Sequence, residues 1–279
     1  MDWDYKAFTK EVKSLFFELL PLYIGNADEE IGTKIKPADG TPVTSLDHYV
    51  LKRLRKLIAK NFPNDYTIGE EDQKNPEEIK KILTRQNQYQ WTIDGLDGTG
   101  SLILGTNSYG AMICLRCGSK ILYAAGFRPI DYQLRGNGFF WTQYGKGAWE
   151  WFEADKKDHQ LHTVKAGKLK RMTILLEGSS KKFFRPPITF LGNAETTRAS
   201  LSSFIAATTV ARGKASALVT VENKPWDNWP SIIFIQEAGG IVTDWYGNPW
   251  TPENCGNIVA AANKKDGDHI INILNKKGG

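Results

Sequence analysis

The chain has 279 residues, of which 41% are hydrophobic and 24% charged, and it carries a net charge of +5. This balance excludes a low-complexity polymer and can build one large domain or two subdomains sharing an interface. No apolar run reaches the roughly 18 residues of a membrane span. The opening MDWDYKAFTKEV carries acids where a secretory leader is basic, and three sparse cysteines suit a reducing, cytoplasmic setting.

Phe8, Val12, Leu15, Phe16 and Leu19 recur at helical spacing and predict a first helix, closed by Pro21. Residues 32–44, rich in Gly, Pro and Thr, read as a loop. Thr44-Ser45-Leu46-Asp47 is a helix start of the capping-box type, and Val50, Leu54, Leu57 and Ile58 supply that helix's buried stripe. The basic run Lys52-Arg53-Arg55-Lys56 falls on its polar side and reads as a solvated face. With no RRM-like, zinc-finger or basic-zipper pattern, a nucleic-acid partner is not expected.

From about 89 to 149 short apolar runs, separated by turns such as Gly118-Ser119 and Gly136-Asn137-Gly138, predict strands. Cys114 and Cys117 form a CxxC there, but no second Cys or His pair lies nearby, so the pair reads as structural. The polar stretch 153–162 marks a seam between subdomains of about 1–155 and about 156–279. Strand and helix patterns then alternate: TILLEGSS, a helix around 200–212, ALVTVE, a helix around 228–238, GGIVTDW, NIVAAA and a closing helix. That order predicts layered sheets and helices, an α+β or α/β architecture.

The chemistry gathers at WTIDGLDGT (91–99), where Asp94 and Asp97 follow an apolar run at the expected end of a strand. Two like charges on one short turn repel, so something must compensate. The acids could hydrogen-bond their own backbone in a turn. A nucleophile of the haloacid-dehalogenase kind wants Asp-x-Asp, and two residues intervene here. The third reading is a hard-cation site, with Mg²⁺ shared among oxygen ligands; the lack of clustered His or Cys favours magnesium over zinc.

Glu70, Glu71 and Asp72 form a second acidic group after Tyr66-Thr67-Ile68, and Trp226-Asp227 precedes a helix that stops at Gly239-Gly240. Taken singly, Glu70 reads as a surface acid and Asp227 as a helix N-cap. Gly98-Thr99 adds backbone amides able to approach an anion. Cations beside an anion cradle describe metal-assisted hydrolysis of a phosphate ester.

Four segments, KPADGTPVTSLD (36–47), IGEED (68–72), WTIDGLDGT (91–99) and KPWDNWPSIIFIQEAGG (224–240), resemble in order and spacing the blocks of the inositol monophosphatase family. The resemblance spans most of the chain. It implies a layered α-β-α-β-α sandwich of the inositol monophosphatase and sugar phosphatase type. It also implies cleavage of a small polyol or sugar-like phosphate with two or three Mg²⁺ ions, and a homodimer, as in many relatives.

Carried over by position, the resemblance makes Glu70, Asp94, Asp97, Asp227 and the Leu96 carbonyl metal ligands, with Glu71 serving a further ion. Gly98 and Thr99 would hold phosphate through their amides. Asp47, Thr99 and Glu70 form the catalytic set, Asp47 and Thr99 orienting the attacking water. Lys36 and Asp39 fall in a loop that closes over metal in relatives. Arg198 and Ser200 match a helix start lining the alcohol pocket. Glu222 is the nearest acid for substrate hydroxyls, although a shorter spacing to Asp227 leaves an exposed strand-end acid as an equal reading.

The chain also departs from the family. Gly95 stands where proline is usual, Gly100-Ser101-Leu102 where relatives have Thr-Asn-Phe or Lys-Glu-Phe, and Trp229-Pro230 where small residues are common. Lys-Pro-Trp-Asp (224–227) resembles the histidinol-phosphate branch. Fructose-1,6-bisphosphate and 3′(2′),5′-bisphosphate nucleotides are further substrate alternatives. A metal- and phosphate-binding protein with weak catalysis is the rival of another class.

Overall fold

Helical periodicity sets the first layer. In the computed structural model, which describes residues 5–25, 33–36, 40, 42–72, 77, 88–131, 136–178, 188, 196–200, 202–251 and 256–275, helix α1 (Tyr5–Gly25) buries Phe8, Val12, Leu15, Phe16 and Leu19. Pro21 does not close it. The helix runs one further turn, where fully buried Tyr23 donates its hydroxyl to the Gly95 carbonyl at 2.6 Å. That anchor offsets the backbone bond a proline removes.

The stretch expected as loop contains a small antiparallel pair, β1 (Lys34–Ile35) and β2 (Pro42–Val43). Helix α2 (Ser45–Asn61) starts as the sequence suggests, with the Thr44 N–H donating to Asp47 Oδ2 at 2.7 Å. Its basic face pairs with acids on neighbouring elements: Arg53 with Glu18, Lys60 with Glu11 and Arg55 with Asp72.

Both helices cover one face of a seven-stranded sheet ordered β3 (Tyr66–Gly69), β4 (Tyr89–Asp97), β5 (Gly110–Cys117), β6 (Lys120–Asp131), β7 (Gly136–Gln143), β8 (Ala148–Phe152) and β9 (Asp158–Gln160). Its strands pair antiparallel except β3 with β4. A one-turn 3₁₀ helix, Glu70–Asp72, follows β3, and a short helix α3 (Thr99–Ile103) follows β4. Cys114 and Cys117 lie three apart on β5, an odd spacing that sends them to opposite faces.

A second, mixed sheet has the order β11 (Thr196–Ala199), β10 (Thr173–Gly178), β12 (Ala217–Val221), β14 (Ile258–Ala261) and β13 (Ile241–Asp244). Between the sheets lie α4 (Ser203–Ala211) and α5 (Pro225–Glu237), apolar on nearly every side because both faces meet a sheet. Helix α6 (Lys264–Leu274) is apolar on one side only and closes the outer face with Ile270, Ile273 and Leu274. The result is an α-β-α-β-α sandwich with three hydrophobic clusters: one under α1 and α2, one around the central helices and reaching both sheets, and one under α6.

Candidate active site

Residues three apart on a regular strand point to opposite faces, which would separate Asp94 from Asp97. Strand β4 does not end at Ile93 as expected; it runs through both acids, and its ladder with β5 shifts between them. Asp94 faces Met112 and Asp97 faces Gly110, so β4 carries one extra residue there. This bulge re-aims the second side chain. Carboxylate oxygens of Asp94, Asp97 and Asp227 consequently lie within 4.8 Å of one another.

Close packing holds the bulge. A Cβ on Gly95 would meet the Asp47 carbonyl at 2.8 Å and the Leu51 nitrogen at 3.1 Å, so β4 touches the first turn of α2. Glycine, with no Cβ, permits that approach. Gly98 has φ of 93°, a left-handed conformation that glycine adopts freely, and caps α3.

Each acid has its own support. Asp97 accepts the Ser202 hydroxyl at 2.5 Å and the Phe204 and Ser203 N–H groups at 2.7 and 3.1 Å, which ties β4 to the start of α4. Asp94 accepts the Leu96 N–H at 3.0 Å. Asp227 is not the N-cap of α5 but sits inside its first turn, where Lys224 N–H reaches it at 3.3 Å. Burial, then Glu70, Asp97 and Asp227, pushes the Asp94 carboxyl well above the usual carboxylate range. Burial, then Glu70 and Asp97, does the same to Asp227. For Asp97, burial outweighs its donors and the shift is again upward.

Glu70 is not one of the three clustered acids, but its charge acts on Asp94 and Asp227, and burial raises it to about 7 against the opposing pull of Lys36. The Lys36 ammonium reaches Glu70 at 2.5 Å and Glu71 at 2.9 Å. Burial lowers this lysine, but the two carboxylates outweigh it and hold it above its normal range. Asp39 lies outside the described residues. On the other side, Asp47 Oδ2 accepts the Thr44 N–H and hydroxyl, while the Thr99 hydroxyl stands 3.0 Å from both Asp47 Oδ1 and the Leu96 carbonyl.

The alcohol-side candidates do not gather in the same way. Arg198 is exposed on β11 and donates to its own neighbour, the Thr197 carbonyl. Arg198 and Ala199 end a strand and Ser200 follows it; the expected helix start falls later, at Ser202, whose hydroxyl accepts the Ile205 N–H. Glu222 is exposed with φ of 55°, its N–H on Asn257. Ser200 instead lies against Glu177, a buried acid on β10 that sequence reasoning passed over. The available signal was an acid interrupting the apolar run Ile174-Leu175-Leu176.

The departure at Trp229 also has a packing counterpart. This indole is fully buried under the Arg116 guanidinium, 4.5 Å from its ring, and Arg116 is held by Gln90 at 2.8 Å.

The donor set suits a hard divalent cation. The three clustered groups are carboxylates without His or Cys among them. Burial raises each toward protonation, with neighbouring acids adding to it at Asp94 and Asp227, a cost that Mg²⁺ would relieve. The sequence comparisons agree with this chemistry. Residues 5–278 match the model of the inositol monophosphatase family. A histidinol-phosphatase of Chlorobaculum parvum is 28% identical over 89% of this chain and 88% of its own. A Streptomyces griseus protein named glucose-1-phosphate thymidylyltransferase is 24% identical over 75% of each chain. Among solved structures, an IMPase/NADP phosphatase complexed with NADP and Ca²⁺ superimposes with a TM-score of 0.79 at 18% identity, over 100% of this chain and 99% of that one.

Fold and acidic centre together define the class, a family of metal-dependent phosphatases. This chain belongs to the inositol monophosphatase family.

Proposed function

We propose that the protein is a Mg²⁺-dependent phosphomonoesterase acting on a small polyol or sugar-like phosphate. The observation that carries this reading is the convergence of Asp94, Asp97 and Asp227 within 4.8 Å, beside the Thr99–Asp47 hydrogen bond of 3.0 Å. Asp94, Asp97, Asp227, Glu70 and the Leu96 carbonyl would hold two or three ions, with Glu71 assisting. Bound Mg²⁺ supplies positive charge to the phosphoryl oxygens and the leaving alkoxide, and makes water a stronger acid.

The chain's own groups divide the remaining work. The Thr99 hydroxyl has one proton and two acceptors in reach, so Asp47 Oδ1 can draw that proton away from Leu96. Its oxygen is then oriented to accept a proton from the attacking water. Asp47 is held for this by Thr44, whose two donors occupy Oδ2. The left-handed turn at Gly98 presents the Gly98 and Thr99 amides to phosphate. Lys36 balances Glu70 and Glu71. The reading carries a cytoplasmic homodimer with it, as in many relatives.

Histidinol phosphate is the second substrate reading, favoured by Lys-Pro-Trp-Asp at 224–227 and by the Chlorobaculum relative. The test is phosphate release with Mg²⁺ over inositol 1-phosphate, histidinol phosphate, fructose 1,6-bisphosphate and adenosine 3′,5′-bisphosphate. Fastest release from inositol 1-phosphate is expected. Binding of Mg²⁺ and phosphate without turnover of any ester would favour a binding protein instead.

A further inference from the structure

Glutamate is seldom fully enclosed, because an unpaired carboxylate oxygen away from water is costly. Glu177 is 9% exposed, and among the described residues its Oε1 is shut from solvent with no hydrogen-bond partner. Strand alternation explains which way it faces. Leu176 packs in the cluster under α6, so Glu177 projects to the opposite face of the second sheet, where α4 and the acidic centre lie. Asp97 and Asp227 both act on its charge, and Ser200 and the Gly178 N–H are its hydrogen-bond donors.

Burial, then Asp97 and Asp227, drives this carboxyl well above the usual carboxylate range. A core position gains nothing from such a residue; leucine in that place would cost less. An orphaned oxygen on a buried carboxyl that feels the charges of Asp97 and Asp227 and is bonded by Ser200 therefore has the character of a group waiting for a donor that arrives with a ligand.

We infer that Glu177 is a specificity-determining residue that accepts a hydrogen bond from a donor on the leaving alcohol, a hydroxyl or amine next to the ester. It takes the role that Glu222, exposed at the strand end, does not fill. The inference rests on the phosphatase reading and adds the substrate class: alcohols bearing a donor close to the phosphate, rather than aryl or simple alkyl esters. A site with a buried polar group rejects an analogue that leaves the group unpaired.

The experiment measures kcat and KM with Mg²⁺ for the wild type, Glu177→Gln and Glu177→Leu. Inositol 1-phosphate carries a hydroxyl donor, histidinol phosphate an amine, and p-nitrophenyl phosphate neither. In Glu177→Leu the preference for the donor-bearing esters over p-nitrophenyl phosphate should fall about 10-fold or more, mainly through KM, as expected for one hydrogen bond to a buried polar group that the variant removes. Which of the two esters loses more identifies hydroxyl or amine as the donor. Glu177→Gln keeps shape and an acceptor oxygen, so it should retain more of the hydroxyl preference; it also supplies the answer if the leucine variant does not fold. Equal losses on all three esters, in kcat, would overturn the inference by making Glu177 a support of the metal acids. If the wild type hydrolyses none of them, the phosphatase reading fails and takes this inference with it, whereas wild-type turnover with an unmoved preference sinks this inference alone.

Discussion

Asp94 shows how strongly one side chain can call for a compensating positive charge. It is 2% exposed and lies among Glu70, Asp97 and Asp227, so the metal-free protein holds repulsion that Asn would remove. Asp94→Asn should abolish Mg²⁺-dependent turnover by more than about 100-fold, since a metal ligand matters at least as much as its outer supports. The same variant, without metal, should melt about 2–4 °C higher than the wild type, the shift that roughly 1 kcal/mol gives in a chain of this size. A calorimetric scan and a phosphate-release assay measure both, and a melting point that drops would mean the carboxylate stabilises the fold instead. Thr99 allows a finer cut. Thr99→Ala should lower kcat by about 100-fold or more, the range of a lost proton-transfer group, while Thr99→Ser keeps the hydroxyl facing Asp47 and retains most of the rate. Equal losses in the two variants would contradict the role given to the hydroxyl.

Among the elements, β4 and α2 act as one unit. The sequence made Asp47 readable, because Thr44-x-x-Asp47 is a local capping pattern and the structure forms it with a 2.7 Å bond. It made the pairing of Asp94 with Asp97 readable only as a motif. Their convergence depends on a bulge that comes from the β5 ladder and from the close approach of Gly95 to α2, and neither follows from local spacing. Pro21 misled for a similar reason: its local preference to end a helix is overridden by the Tyr23 anchor to Gly95, 72 residues on. Gly95→Ala tests this unit. Its Cβ would press on backbone atoms of α2, which cannot swing aside, so a loss of about 2–3 kcal/mol in denaturant unfolding is expected. Activity should fall as well, because the strain displaces Asp47. An Ala variant as stable and active as the wild type would show that the approach has slack.

Across the whole molecule, the layers were readable and the alcohol side was not. Helical and strand periodicities predict a sandwich, since each amphipathic face needs a partner layer. The alcohol side inferred above draws on β10 and the residues after β11, and Glu177 looks like part of a core strand until the second sheet is folded against the first. The acidic centre also gives the molecule a pH signature. Glu70 is raised to about 7, and Asp94 and Asp227 shift the same way. A raised carboxyl contributes stability that is complete below its unfolded value, near 4.5, and is lost as pH rises through the folded value. The metal-free protein should therefore melt at progressively lower temperature from about pH 5 to pH 8, and the stabilisation gained on adding Mg²⁺ should grow over that window. Glu70 retains some solvent contact, which softens the effect without changing its sign. A Mg²⁺ effect independent of pH would argue that the cation binds elsewhere.

On the function proposed above, these distant acids share divalent cations in order to cleave a phosphate ester. The most direct test follows phosphate release from inositol 1-phosphate through chelation with EDTA and re-addition of Mg²⁺, in the wild type and in Asp227→Asn. Release should fall to background on chelation and return with Mg²⁺ in the wild type only. Release that continues in EDTA, or that Asp227→Asn supports at the wild-type rate, would contradict that function.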